Sequence, residues 1–464
     1  MNKNRSINEV AIANIISTGV SQGAAFLAVF LFSRMLGADQ YGRYAVLSSW
    51  ILLFTSVMGI GTESTIAIAI YQYKDNYLSY KKSLLVYGFF LNLVLGFVIV
   101  VCLFPFYKRF ELSFKIILFL LFISYANYTF NFFKMCCIYE MKVWLLLKVT
   151  LIISLSALGL AYLFVISFSE EYRYWGKLFG DAIPYCIFLI IYLFLGILKS
   201  KVNIDFSYFK YALILGGPIV FHSIGHIVLA QSDRIMMKWI GVANSKVGIY
   251  SFYYTMAMIL AAVLDTLNNS WCPFFYKYLN NQDKVKVNQK SRNYIELFTS
   301  IVFVYLLIVR EVIAILQTEE YLQGISLLPI LVLSVYFTFV YQFSVNYEFY
   351  LKKTRIIAIG TVLTAILNIV LNCIFIPIWQ DKGAAVATCF SYIFLSALHN
   401  IFVRKTSDYK WIIKSKPLIW GITSIIIGIF LFYWFADFAV IRWIFALVIA
   451  CIEGFRVLKR KSIW

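Results

Sequence analysis

Apolar runs of membrane-spanning length recur along this chain from one end to the other, among them Leu84 to Phe106, Phe179 to Leu198 and Pro417 to Phe435. Each is close to the roughly 20 residues that an α-helix needs to cross about 30 Å of hydrocarbon. Of the 464 residues, 62% are hydrophobic and 14% charged, against about 45–50% and about 25% in a soluble globular protein. No water-soluble core hides such an excess, so lipid is the solvent. Reading helices between charged and Gly/Pro breaks predicts about 14 spans, at residues 8–33, 44–71, 84–106, 115–139, 144–168, 179–198, 208–231, 247–275, 293–316, 325–351, 355–378, 383–404, 417–435 and 438–457. A transmembrane barrel would alternate in segments of about ten residues. These solid runs do not, and the expected fold class is an all-α integral membrane protein.

Lys3 and Arg5 open the chain, but Glu9 and Asn14 interrupt what a signal peptide would keep apolar. The first helix is therefore expected to stay in the mature protein. The cysteines Cys102, Cys136, Cys137, Cys186, Cys272, Cys373, Cys389 and Cys451 lie in or at the ends of spans without a C-x-x-C pair. They read as small core residues, and no disulfide, metal or other cofactor is expected.

A net charge of +19 from 41 Lys and Arg would suit nucleic acid if the cations formed a patch. They are dispersed among the connections instead, and no nucleic-acid partner is expected. With the N-terminus placed in the cytoplasm, the termini and even-numbered connections carry roughly twice the Lys and Arg of the odd-numbered ones, which predicts that both termini are cytoplasmic. Every connection is short, the longest lying around Tyr276 to Lys290 and Arg404 to Lys416. None has room for a soluble catalytic domain.

An internal repeat is visible. Arg34, Gly37 and Tyr44 in the first half match Arg234, Gly241 and Tyr250 in the second at offsets of 200, 204 and 206, and Gly180-Asp181-Ala182 matches Gly383-Ala384-Ala385 at 203. An offset of six helices divides the chain into a six-helix lobe at 1–205, a second at 206–405, and two added helices at 406–464. Halves of six helices keep one orientation, so the axis relating them is expected along the membrane normal.

Polar residues inside the spans fall on single faces. In the first span they are Asn14, Ser17, Thr18, Ser21 and Gln22, and in the second Ser48, Ser56, Gly59 and Glu63. The fourth span carries Ser124, Asn127, Asn131 and Lys134; the seventh Ser223, His226 and Ala230 leading to Asp233; the eighth Tyr250, Tyr254, Ala261, Asp265 and Asn268. The tenth carries Tyr341, Ser344 and Glu348, and the eleventh Thr361, Thr364, Asn368 and Asn372. Ser, Thr and Asn stripes serve helix packing as readily as a substrate path. The ionisable Glu63, Lys134, Asp265 and Glu348 point more strongly to function, because only a partner or water offsets their burial in hydrocarbon. Snorkelling explains Arg34, Asp233 and Arg234 nearly as well. His222 and His226 read as packed residues, His399 as interfacial, and Glu311 as an exposed residue at a span end.

Taken together, Ser33-Arg34-Met35-Leu36-Gly37 with Tyr41-Gly42-x-Tyr44, Ser232-Asp233-Arg234 with Gly241 and Val247-Gly248-Ile249-Tyr250, Pro273 with Tyr276, and Asn368 to Pro377 before Gly383-Ala-Ala-Val-Ala-Thr388 carry a family resemblance along the length of the chain. It resembles the polysaccharide-exporting flippases of the multidrug/oligosaccharidyl-lipid/polysaccharide superfamily, which include O-antigen and capsule repeat-unit flippases. The resemblance implies 12 to 14 helices in two lobes around a central cavity, rocking alternating access, and location in the bacterial cytoplasmic (inner) membrane. It implies an undecaprenyl-diphosphate-linked oligosaccharide as substrate, membrane lipid around the chain, and other polysaccharide assembly proteins as partners.

Under that reading Arg34, Lys134 and Arg234 are the cations for a diphosphate. Tyr250, Tyr254, Tyr341, Asn127, Asn131 and Asn368 are polar or aromatic groups for sugar rings. Glu63, Asp265 and Glu348 are candidates for coupling to H+ or Na+. A multidrug extruder or a peptidoglycan-precursor flippase shares the implied fold. A membrane-embedded polymerase or acyltransferase is the competing class, and it would be expected to show a long extracytoplasmic loop or a reactive His/Asp constellation, which this sequence lacks.

Overall fold

A computed structural model describes residues 7–198, 202–405 and 414–459, with no side chain described at 7–22, 24, 25, 218 and 221. The polar stripe Asn14 to Gln22 therefore lies outside the described side chains. Regular structure is helical throughout the described residues. The helices are α1 (Ile7–Val57), a 3₁₀ segment (Met58–Thr65), α2 (Ile66–Gln72), α3 (Tyr77–Leu103), α4 (Phe114–Tyr139), α5 (Val143–Ser167), α6 (Arg173–Leu193), α7 (Phe206–Ile240) and α8 (Asn244–Asn280). They continue as α9 (Lys284–Leu316), the single turn α10 (Glu319–Leu322), α11 (Leu327–Tyr350), α12 (Thr354–Trp379), α13 (Asp381–Lys405), α14 (Ser415–Trp434) and α15 (Ala439–Lys459).

By length and apolarity, 11 helices among the described residues can cross a membrane, or up to 12 if Phe206–Gly217 and His222–Ile240, bent by 57°, are one span. The expected number, about 14, is not reached among the described residues, which leave out most side chains of the first expected span. The first expected span lies on α1, which bends at Gly37 (φ 69°, ψ 170°), and the second begins on α1 and runs through the 3₁₀ segment onto α2. The last falls on α15, where Arg442, Glu453 and Arg456 make the helix too polar to qualify. The bend in α7 follows Gly216-Gly217-Pro218, because proline removes a backbone donor and crowds the preceding turn.

The chain divides into two compact units, Met1–Gly248 and Ile249–Trp464. In the first, α1 packs on α4, α5, α6 and α7, and α5 and α6 form an antiparallel pair. In the second, α11 and α12 pack on α13, while α14 and α15 pack on α9. Arg442 of α15 is buried and bridges to Glu311 of α9, with Nη1 at 3.4 Å from Oε2 and also donating to Leu307 O at 3.3 Å. Glu311 is thus no exposed residue. A guanidinium this far from water needs a carboxylate beside it.

The repeated motifs have a physical meaning. Gly37 and its counterpart Gly241 both take positive φ, 69° and 95°, a conformation in which a Cβ would crowd the following carbonyl. Gly241 closes α7, with Val242 N–H donating to Met237 O at 2.9 Å, so orphan carbonyls at the helix end are satisfied. The second pair of counterparts sits where helices touch. A Cβ on Gly180 would lie 2.2 Å from Ala161 Cα of α5, and one on Gly383 would lie 2.2 Å from Phe375 O of α12. Each half therefore holds one hairpin together by the same means.

Candidate functional site

The second expected span does not cross as one helix. Gly59, Ile60 and Gly61 have φ of 72°, 48° and 70°, which breaks the α-helical ladder between α1 and α2. For a β-branched residue such as Ile60 that region is costly, and such strain persists only where the surroundings fix it. They do so here. Gly59 N–H, orphaned by the break, donates to Asn92 Oδ1 of α3 at 2.9 Å. The Tyr128 ring of α4 lies where a Gly59 side chain would be, and its hydroxyl bonds the Thr62 hydroxyl at 2.9 Å. Thr65 bonds Tyr80 in the same way at 2.6 Å. Glu63 lies inside this irregular segment, half-buried, and its Oε2 is buried without a hydrogen-bond partner.

The second unit holds a seam of polar pairs between helices. Asn346 Nδ2 donates to Asn268 Oδ1 (2.8 Å) between α11 and α8, and Gln342 Nε2 approaches Asp265 Oδ1 at 3.5 Å one turn away. Asn368 Nδ2 of α12 donates to Ser391 Oγ of α13 (3.2 Å) and Asn372 Nδ2 to Asn368 Oδ1 (3.1 Å). The strongest pair is Glu348 of α11 with His399 of α13. Both side chains are fully buried, and His399 Nδ1 lies 2.9 and 2.8 Å from the two carboxylate oxygens. His399 is therefore a hydrogen-bond partner of a buried carboxyl in the interior and not interfacial. Its Nε2 is buried without a partner and faces Gly360, where a Cβ would come within 2.3 Å.

Residues 9–279 match the family of polysaccharide biosynthesis proteins, more than half of the chain. The chain belongs to that family. A protein of the Lsg locus of Haemophilus influenzae is 23% identical over 362 residues, covering 74% of this chain and 85% of that protein. The fold is shared with the lipid II flippase MurJ in an inward closed conformation, at TM-score 0.70 and 14% identity over 96% of this chain and 98% of that one. It is also shared with an inward-facing multidrug resistance MATE transporter, at TM-score 0.64 and 12% identity over 86% and 98%. The fold is one that a flippase and a multidrug transporter adopt.

Within this polysaccharide biosynthesis protein the sequence-derived candidates fall into three settings. Arg34, Lys134, Asn131 and Asp265 are exposed, and Glu63, Asn127 and Tyr341 are half-buried. Arg234, Tyr250, Tyr254, Glu348 and Asn368 are buried. Arg234 Nη1 donates to Ala230 O at 2.9 Å and to Gln231 Oε1 at 3.2 Å, and Gln231 also accepts from Ser49. The rings of Tyr250 and Tyr254 lie 6.0 Å apart, and Tyr341 stands edge-on to His399 at 5.0 Å. Glu63 and Asp265, both candidates for ion coupling, occupy different backbones: the first a broken segment, the second the unbroken α8.

One ionic cluster escaped the sequence reading. Lys177 and Asp181 of α6 pair at 2.5 and 2.6 Å, Tyr44 donates to Asp181 Oδ2 at 2.8 Å, and the Lys177 ammonium lies 4.3 Å from the centre of the Phe32 ring. The spacing of Lys177 and Asp181, four residues apart on one helix, was the available signal.

Proposed function

We propose that this protein flips undecaprenyl-diphosphate-linked oligosaccharide repeat units across the bacterial cytoplasmic membrane, by alternating access, to supply surface polysaccharide. Membership of the polysaccharide biosynthesis family and the fold of a lipid II flippase support a lipid-linked glycan as cargo. The observation that carries a transport role is the broken span at Gly59 to Gly61 with Glu63 inside it. In transporters, unwound helix segments present groups to substrate and coupling ion that a continuous helix keeps bonded to itself.

The candidates divide by setting. Exposed Arg34 and Lys134 suit a diphosphate better than Arg234, whose guanidinium is buried against Ala230 and Gln231. Glu63 is the first candidate for coupling to H+ or Na+, Glu348 with His399 the second, and Asp265 the third. Tyr254, Tyr341, Asn127 and Asn131 remain the proposed sugar contacts. A multidrug or cation antiporter is the second reading, favoured by the fold shared with a MATE transporter.

Complementation decides between the two. Expression in strains lacking a repeat-unit flippase should restore surface polysaccharide for at least one repeat-unit structure and leave drug susceptibility unchanged. Drug resistance without restoration of any polysaccharide would favour the antiporter.

A further inference from the structure

The first unit has two apolar cavities beside α3, a helix with little of its length buried against the rest of the unit. One, of about 570 Å³, lies between α3, α4 and α6 around Phe89, Gly96 and Leu121 and has no charged residue in its wall. The other, of about 690 Å³, is lined by the start of α3, the end of α4, most of α5 and the end of α6. Its wall is apolar except for Ser156, Tyr192 and, at one end, Lys81 and Lys82. Leu78, Ile152, Ile187 and Ile191 of that wall are exposed, so the cleft opens sideways where a membrane protein meets lipid.

Its length and its cations fit one another. The wall runs along α5 from Leu145 to Leu160, about 22 Å at 1.5 Å per residue, against about 15 Å for the hydrocarbon of one leaflet. The lysines stand at the end where α3 begins, α4 ends and α5 begins, which is the interface end of the cleft. Lys82 Nζ donates to Val202 O at 3.1 Å. Lys81 and Lys142 both bond Glu140, at 2.7 and 2.6 Å. Lys81 and Lys82 are the charged residues of the cleft wall, and an ammonium with three donors can bond a phosphate oxygen while keeping a protein partner.

We propose that this cleft is a binding site for one anionic phospholipid, its acyl chain along α5 and its phosphate on Lys81 and Lys82. None of the residues proposed for transport lines this cleft. The positive-inside bias puts Lys81 and Lys82 on the cytoplasmic side, where anionic lipid is concentrated and each basic residue near the surface contributes about fivefold in binding. The uncharged neighbouring cavity serves as an internal control, because it offers a chain the same apolar shelter and a headgroup nothing.

The test is native mass spectrometry of the full chain in detergent, titrated with phosphatidylglycerol and with phosphatidylcholine of the same acyl chains. Wild type is expected to hold one phosphatidylglycerol between about fivefold and 25-fold more tightly than phosphatidylcholine, as one or two lysines would give. Lys82→Gln should lower that preference about fivefold, and the double variant with Lys81→Gln should erase it. Ser156→Phe, which fills the cleft midway, should remove the bound lipid. Gly96→Phe, which fills the uncharged cavity, should leave it in place. Thermal unfolding of each variant separates lost binding from lost fold. Equal retention of the two lipids by wild type, a preference that survives the double Gln variant, or displacement by Gly96→Phe but not by Ser156→Phe would each overturn the proposal. So would a polyprenyl phosphate that displaces phosphatidylglycerol at equal concentration.

Discussion

Gly42 and Gly248 face each other backbone to backbone: a Cβ on Gly42 would lie 2.9 Å from Gly248 N, and a Cβ on Gly248 would lie 3.0 Å from Gly42 N. The two are counterparts in the sequence repeat. Reciprocal contact, in which each residue meets the other through the same atom, marks a local two-fold relation between the two copies of the motif. The repeated glycine is therefore explained by a contact that neither copy makes alone.

Adding one methyl group at this contact should be costly. In Gly248→Ala the new Cβ would sit 2.0 Å from Ala38 O, and the obstruction is backbone that no rotamer change relieves. The expected loss is about 3 kcal/mol, the upper range for overpacking, read as a lowered midpoint of thermal unfolding in detergent. Gly159→Ala in α5, with open space around its Cβ, should lower the midpoint not at all, since alanine favours a helix by about 1 kcal/mol. Equal midpoints for the two variants would show that α1 and α8 are not this close.

Glu348 and His399 make a second stability test. Breaking a fully buried pair by Glu348→Leu leaves His399 without its partner and should cost roughly 3–5 kcal/mol. The double variant Glu348→Leu with His399→Leu should recover most of that loss, because apolar replacements of both members remove the desolvation cost along with the attraction. Thermal unfolding of the four proteins gives the coupling energy. Additive losses would mean that the two side chains do not depend on each other.

Glu140, in the turn between α4 and α5, should make stability pH-dependent. Burial pushes its carboxyl up, but the hydrogen bond from Lys142 and the charge of Lys81 outweigh burial and hold it below its ordinary value. Lys142 is raised in return, chiefly by its hydrogen bond to Glu140. A carboxyl with a lowered folded-state pKa stabilises the fold above its unfolded value, near 4.3, and that contribution disappears as pH falls through the folded value. Glu140→Gln should thus cost about 1–2 kcal/mol at neutral pH, the partial exposure of the lysines keeping the figure small. The gap from wild type should close below about pH 4. A gap that stays constant down to pH 3 would assign the loss to packing.

Much of the fold was legible because lipid imposes simple rules. Solid apolar runs with short connections allow only helices, and the expected spans fall on α1 to α15. Gly37 and Gly241, matched in the sequence, both take positive φ. What the sequence hid was partnership across distance. His399 lies near the charged residues Arg404 and Lys405 at the end of α13 and so read as interfacial, yet its partner is 51 positions away on α11. Tyr44 and Asp181 are 137 positions apart. The break at Gly59 to Gly61 was hidden for another reason: two glycines in a span are common in membrane helices, and only the positive φ of Ile60 between them shows that the helix is undone.

That break leads to the last prediction. A helix interrupted inside the membrane loses backbone bonds; Asn92 replaces one from outside at Gly59, and Tyr128 and Tyr80 hold the segment by its Thr62 and Thr65 hydroxyls. Such support holds Glu63 in an irregular segment with one carboxylate oxygen buried and unpartnered. Dry surroundings disfavour a bare carboxylate, so under the proposed function the group is expected to take a proton or a cation for part of the transport cycle. It links transport to that ion only if the conformations of the cycle solvate it differently. Asp265, exposed on the unbroken α8 near Gln342, lacks this strain and should matter less. The measurement is flipping of a lipid-linked oligosaccharide in vesicles under an imposed proton or sodium gradient. Glu63→Gln should keep slow equilibration but lose its response to the gradient, Glu63→Asp should retain part of it, and Asp265→Asn should respond nearly as wild type. If Glu63→Gln follows the gradient fully while Asp265→Asn does not, coupling resides on α8, and the broken segment serves the shape of the span alone.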